Sequence, residues 1–69
     1  MNINDSLIIT ETISIENGSI PCGAVMKIND ISKVDDSYLV SITPFIFNNI
    51  RTTKQMKVNL NFIKKYTTK

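Results

Sequence analysis

The reactive side chains in this chain are few and stand apart from one another. Cys22 is the one thiol and there is no histidine, so the usual base that turns a cysteine into a nucleophile is missing. Between Pro21 and Gly23, in what reads as a turn, Cys22 is most simply a small half-buried residue. Asp35 and Asp36 are neighbouring carboxylates followed by Ser37. They read better as a solvated turn, whose short side chains bond to nearby amides, than as an acid–base pair. A carboxylate or lysine base would need a strongly shifted pKa, and 69 residues enclose little interior in which to shift it. A His/Cys zinc site, an internal disulfide, a calcium loop and a phosphate-cradling glycine loop are all beyond this composition. The expectation is a non-catalytic chain with no metal and no cofactor.

Charge is more informative in its distribution than in its sum. All six acids, Asp5, Glu11, Glu16, Asp30, Asp35 and Asp36, precede residue 37, whereas Arg51, Lys54, Lys57, Lys64, Lys65 and Lys69 follow it with no acidic neighbour. Such asymmetry marks an anionic partner in some chains. In others, sheet pairing interleaves the halves and cancels them, here by setting Glu11 or Asp30 beside the lysines. Cancellation is the favoured reading, because the net charge is only +2 and strong nucleic-acid domains are far more basic.

A chain of this length holds one compact core, so residues 1–69 are expected to form one small domain, with 1–5 and 67–69 fraying. The apolar share of 42% is that of a packed chain rather than a disordered one. No apolar run approaches the ~20 residues that span a bilayer, and Met1–Asp5 lacks the basic start and apolar stretch of a secretion signal. No membrane association and a cytoplasmic location are therefore expected. Ile, Asn, Lys and Thr dominate while Ala, Gly and Pro are scarce, which suits an AT-rich coding sequence and hence a low-GC bacterium or a phage-infected cell.

The elements that must position these side chains are strands. Met56, Val58 and Leu60 alternate with Gln55, Lys57 and Asn59, the pattern of a half-buried strand. Leu7, Ile9, Ile13 and Ile15 share one parity, predicting a long first strand bent near Glu11. Met26 and Ile28 face one way and the phase then shifts to Ile31, predicting a bulge or strand end near Asn29-Asp30. Tyr38, Val40 and Ile42 alternate in turn, with Asp35-Asp36-Ser37 as the hairpin turn before them. Asn17-Gly18 is suited to positive φ, Pro21-Cys22-Gly23 is a second turn, and Pro44 is expected to end the third strand. Asn48-Asn49 reads as the tip of a hairpin joining Phe45-Ile46-Phe47 to a strand starting near Thr52 or Thr53. Leu60, Ile63 and Tyr66 have helical spacing, but the stretch is short and allows only one turn near 60–63.

Ile20-Pro21-Cys22-Gly23-Ala24-Val25-Met26-Lys27-Ile28 resembles the segment that opens the second strand of Src-homology-3 domains. Val58-Asn59-Leu60-Asn61-Phe62-Ile63-Lys64-Lys65-Tyr66 is similar to that family's closing segment, in which a helical turn enters the last strand. The resemblance spans roughly residues 7 to 66 and implies an all-β, five-stranded antiparallel Src-homology-3-like small barrel. Its Ala-Leu-Tyr-Asp-Tyr segment is absent, no tryptophan is present, and Asn59 stands where the closing motif has proline. The aromatic groove that a polyproline helix needs is thus mostly missing, and proline-peptide recognition is not implied. Asn61 and Phe62 match motif positions, with Tyr38 near the place of the missing tryptophan; Phe62 reads as packing before it reads as a binding anchor.

Two binding functions follow. In the first, the chain docks on a protein partner, or on a second copy of itself, through an exposed strand edge or through Phe45, Ile46, Phe47, Asn48, Asn49, Ile50 and Phe62, because this hairpin offers more apolar surface than a small barrel absorbs. It would suit a phage or mobile-element accessory protein that inhibits or modulates a host protein by covering its surface. In the alternative, Arg51, Lys54, Lys57, Lys64 and Lys65 track a nucleic-acid backbone, with weak, salt-sensitive and sequence-blind affinity. A structural reading in which Ile46 or Ile50 merely lies half exposed stands beside the first.

Overall fold

The computed structural model describes residues 2–15 and 17–68. The elements in chain order are β1 (Ser6–Ile9), β2 (Ile13–Ile15), β3 (Gly18–Ile20), β4 (Val25–Ile31), β5 (Tyr38–Phe47), β6 (Ile50–Val58), α1 (Leu60–Tyr66) and β7 (Thr67–Thr68). The protein is mostly β: one antiparallel sheet of seven strands with one short helix, curled but not closed into a barrel. The order is β2-β3-β5-β4-β1-β7, with β6 on the remaining side of β5.

The expected long first strand is two strands, because Thr10-Glu11-Thr12 breaks it. Its partner is broken as well, at Pro21–Ala24, so β1 pairs with β4 while β2 pairs with β3. Cys22 stitches the two breaks together. Its amide donates to the Thr12 hydroxyl at 3.3 Å and its thiol to the Thr10 carbonyl at 3.3 Å. The residue is exposed, not half buried as its turn position suggested.

β5 serves both halves of the sheet. Through Thr43 it lies beside β4, and at Ile46 it lies beside β3. Pro44 therefore does not end the strand. It sits where the neighbour changes and where the register with β6 shifts between Ile42 and Phe45, a step at which no ladder amide is required of it. The breaks in β1/β2 and β3/β4 and the shift in β5 lie in line and form a crease across the sheet. The predicted bulge is present, as a register shift between Ile28 and Asp30.

Turn chemistry explains the rest. Asn48 and Asn49 have φ of 49° and 63°, the two consecutive left-handed residues of a tight hairpin, so β6 begins at Ile50 rather than near Thr52. Gly23 has φ of 91°. Gly18 is needed for a different reason from the positive φ expected of it: a Cβ there would run into the Ile46 carbonyl oxygen and the Phe45 ring, so its small size lets β3 approach β5. Glu16, the other residue of that turn, lies outside the described residues, as do Met1 and Lys69.

Leu60 does not continue the strand alternation. The Asn59 side chain accepts from the Phe62 amide at 2.9 Å and starts α1, Lys64 and Lys65 stand in its last turn, and the Thr67 hydroxyl donates to the Ile63 carbonyl at 2.6 Å. These caps extend the single expected turn to Tyr66. Thr67–Thr68, expected to fray, instead pair with Ile8 and Ile9 of β1 as β7, and the amide of Asn4 donates to the Ile28 carbonyl at 2.7 Å.

The core is the inner face of this curl: Leu7, Ile9, Ile13, Ile20, Ala24, Met26, Ile28, Val40, Ile42, Phe45, Val58 and Ile63. Full burial of each large aliphatic side chain contributes about 1.5–3 kcal/mol. α1 leaves the Val58 end of β6 and delivers β7 to β1, and so crosses the gap between those two strands with Ile63 turned inward. Among the described residues no helix is long and apolar enough to cross a membrane.

Candidate docking surface

Beyond the crease the curl stays open. Here the sheet runs β2-β3-β5-β6, and its two outer strands each have a single partner, β2 with β3 and β6 with β5. Between them lies a trough of about 440 Å³ lined by Ile15, Asn17, Phe45, Phe47, Lys54 and Met56. Ile15 comes from one free strand, Lys54 and Met56 from the other, so both unpaired edges border the same opening.

Register explains which side chains face it. Phe47 stands opposite Ile50, Ile42 opposite Lys54 and Val40 opposite Met56, which puts all of them on the inner face. Phe45 is 6% exposed and forms the floor, with the Lys54 ammonium 5.3 Å from its ring centre. Phe47 and Ile50 remain 41% and 64% exposed at the mouth. Asn48 and Asn49 turn the chain in solvent at the tip.

Of the expected docking residues, the structure thus brings together Phe47, Ile50, Asn48 and Asn49 and assigns Phe45 to the core. Ile46 points to the opposite face, half buried, opposite Arg51 and Ser19. Phe62 does not join them. It is half buried on α1, its ring 4.9 Å from that of Tyr66 and packed against the core, and Tyr38 is likewise half-buried packing. Ile15 and Met56 belong to the trough although neither was singled out. Their strand parity marks both as inward-facing, but only the curl of the sheet brings them to one opening, each half buried.

The basic residues are not gathered into one patch. Arg51 and Lys57 share the outer face of β6 but lie about 20 Å apart along it. Lys54 is on the inner face, while Lys64 and Lys65 are on α1, Lys65 with its ammonium 5.1 Å from the Tyr66 ring centre. Among the described residues the ion pair that cancels charge is made by Asp35, not by Glu11 or Asp30: Asp35 and Lys57 form an exposed pair at 2.7 Å. That ammonium, with the Ser37 hydroxyl donating at 2.7 Å and Ser32 nearby, holds the Asp35 carboxyl well below the usual carboxylate range. Asp30, Ser32, Ser37, Leu39 and Lys57 line a smaller dent of about 240 Å³ beside this pair. Asp35 also accepts from the Ser37 amide, at 3.3 Å, as its turn position predicts. Among the described residues no three His, Cys, Asp or Glu side chains gather as a metal-binding group.

No protein-family model matches this chain, and no curated protein or solved structure matches it either.

Proposed function

We propose that this chain is a non-catalytic protein-binding module that docks through the trough between the β2–β3 hairpin and β6. The observation that carries this reading is the exposure of Phe47 and Ile50 side by side, at 41% and 64%, at the mouth of a trough lined by both apolar and polar side chains. Scattered surface apolars need no explanation, but neighbouring ones beside a concavity are the mark of an interaction site. The strand order also supports treating the fold as an open relative of the Src-homology-3-like barrel. A long excursion follows β1, a meander of β4, β5 and β6 comes next, and a helical turn enters a last strand beside the first. A proline peptide is not the ligand of this reading. The partner is a host protein whose surface the chain covers, in keeping with a phage or mobile-element accessory protein.

The test is affinity capture from a low-GC bacterial lysate with the full chain and with the double variant Phe47→Ser, Ile50→Ser. A partner retained by the first and lost by the second, while both melt cooperatively, is the expected result. Equal retention by the two chains, or recovery of the bait alone, would discard the reading.

A further inference from the structure

Resting on that docking reading, we infer that the occupant is an extended, acidic segment of another protein that adds to the sheet as a strand along β6. Among the described residues β6 pairs with β5 alone. From Ile50 to Val58 it therefore offers about 26 Å of edge, along which alternate residues turn N–H and C=O groups to solvent. Edges of this kind are normally kept short, bulged or charged. This one is nine residues long, and its protection is charge: Arg51, Lys54 and Lys57, with no acidic residue anywhere in the chain after Asp36.

The same charges choose the partner. In an antiparallel pairing of two β6 strands centred on Lys54, Arg51 of each copy would meet Lys57 of the other and the two Lys54 side chains would meet each other. Like charges directly opposite one another destabilise a sheet. An incoming strand with carboxylates opposite Arg51 and Lys54 reverses the sign of that term, and the repulsion that rejects a second copy becomes selectivity. Lys57 is already held by Asp35, so Arg51 and Lys54 supply most of the selection. The trough separates this edge from one that is merely protected. An added strand would set alternate side chains on the inner face next to Ile50 and Met56, directly over the apolar lining of Ile15, Phe45 and Phe47. The segment that fits spans about eight positions, with carboxylates opposite Arg51 on the outer face and Lys54 on the inner face and apolar residues opposite Ile50 and Met56.

The experiment is selection of a displayed random octapeptide library on the immobilised full chain, followed by amide hydrogen exchange of the chain with each enriched peptide. The expected peptides carry two acidic residues three positions apart, with apolar residues to either side, and protect alternate amides of β6. Against Arg51→Glu, Lys54→Glu they lose affinity by about tenfold, and selection on that variant turns to basic sequences. Enriched peptides without acids, or peptides that leave β6 amides unprotected while Phe47→Ser abolishes them, would overturn the strand inference and leave docking at the trough standing. A dimer in sedimentation with β6 protected in the absence of peptide would do the same. Selection that yields no peptide, together with a partner capture indifferent to Phe47→Ser, would remove both.

Discussion

On one side of the crease, α1 bridges the gap between β6 and β1; on the other, no element among the described residues lies between β6 and β2. Both halves are built from the same material, aliphatic residues on the inner face of a curled sheet. In the bridged half Leu7, Ile9, Met26, Ile28, Val40 and Ile42 are sealed, with Val58 and Ile63 closing the end. In the open half Ile20 and Phe45 are buried, but Ile15 is half covered and Phe47 and Ile50 face solvent. The lesson is that stability and, on the reading proposed above, recognition are divided along the crease. One half holds the molecule together, and the other is free to keep apolar surface in reserve.

This division is easily broken. Ile28→Ala removes a wholly buried side chain from the bridged half and should cost about 3 kcal/mol, a large part of the stability of a chain of this size, as denaturant titration would show. Gly18→Ala should cost about 2 kcal/mol, because the added methyl meets the Ile46 carbonyl and the Phe45 ring. Its effect should appear first as faster amide exchange in β2 and β3, with β1 and β4 less disturbed. Asn59→Ala removes the cap of α1 and should cost about 1 kcal/mol by the same titration.

Two smaller effects sharpen the contrast. The Asp35 carboxyl titrates below its ordinary range in the folded chain, so the stability it adds is present above that range and is lost as the pH falls through the folded value. Asp35→Asn should therefore be slightly less stable than the parent at neutral pH, and the gap between their melting curves should close in strong acid. Ile50→Ser, on the open half, should move stability by no more than ~0.5 kcal/mol. A large loss there would mean that the mouth of the trough belongs to the core after all.

Much of the bridged half is legible from alternation alone. Leu7, Ile9, Met26, Ile28, Val40, Ile42 and Val58 lie inward as their parity predicts, and the phase slip before Ile31 is a real bulge. What alternation does not carry is pairing. Whether Pro44 stops a strand depends on who lies beside it, and a proline is tolerated where the neighbour changes. The length of α1 depends on caps at Asn59 and Thr67, each a local bond that hydrophobic period ignores. The trough is only half visible in the sequence for the same reason. Phe47 and Ile50 stand out as surplus apolar residues, but Ile15 is more than thirty positions from either Lys54 or Met56 in sequence and meets them only through the curl.

The crease interrupts β1/β2 and β3/β4 and adds a residue to β5, yet β6 crosses it without a break. A ligand lying along that strand would act as a splint, tied to both sides at once. By mass action its binding would raise the melting temperature of the whole chain and, beyond β6 itself, slow solvent exchange in the β2–β3 hairpin, where few other contacts resist opening.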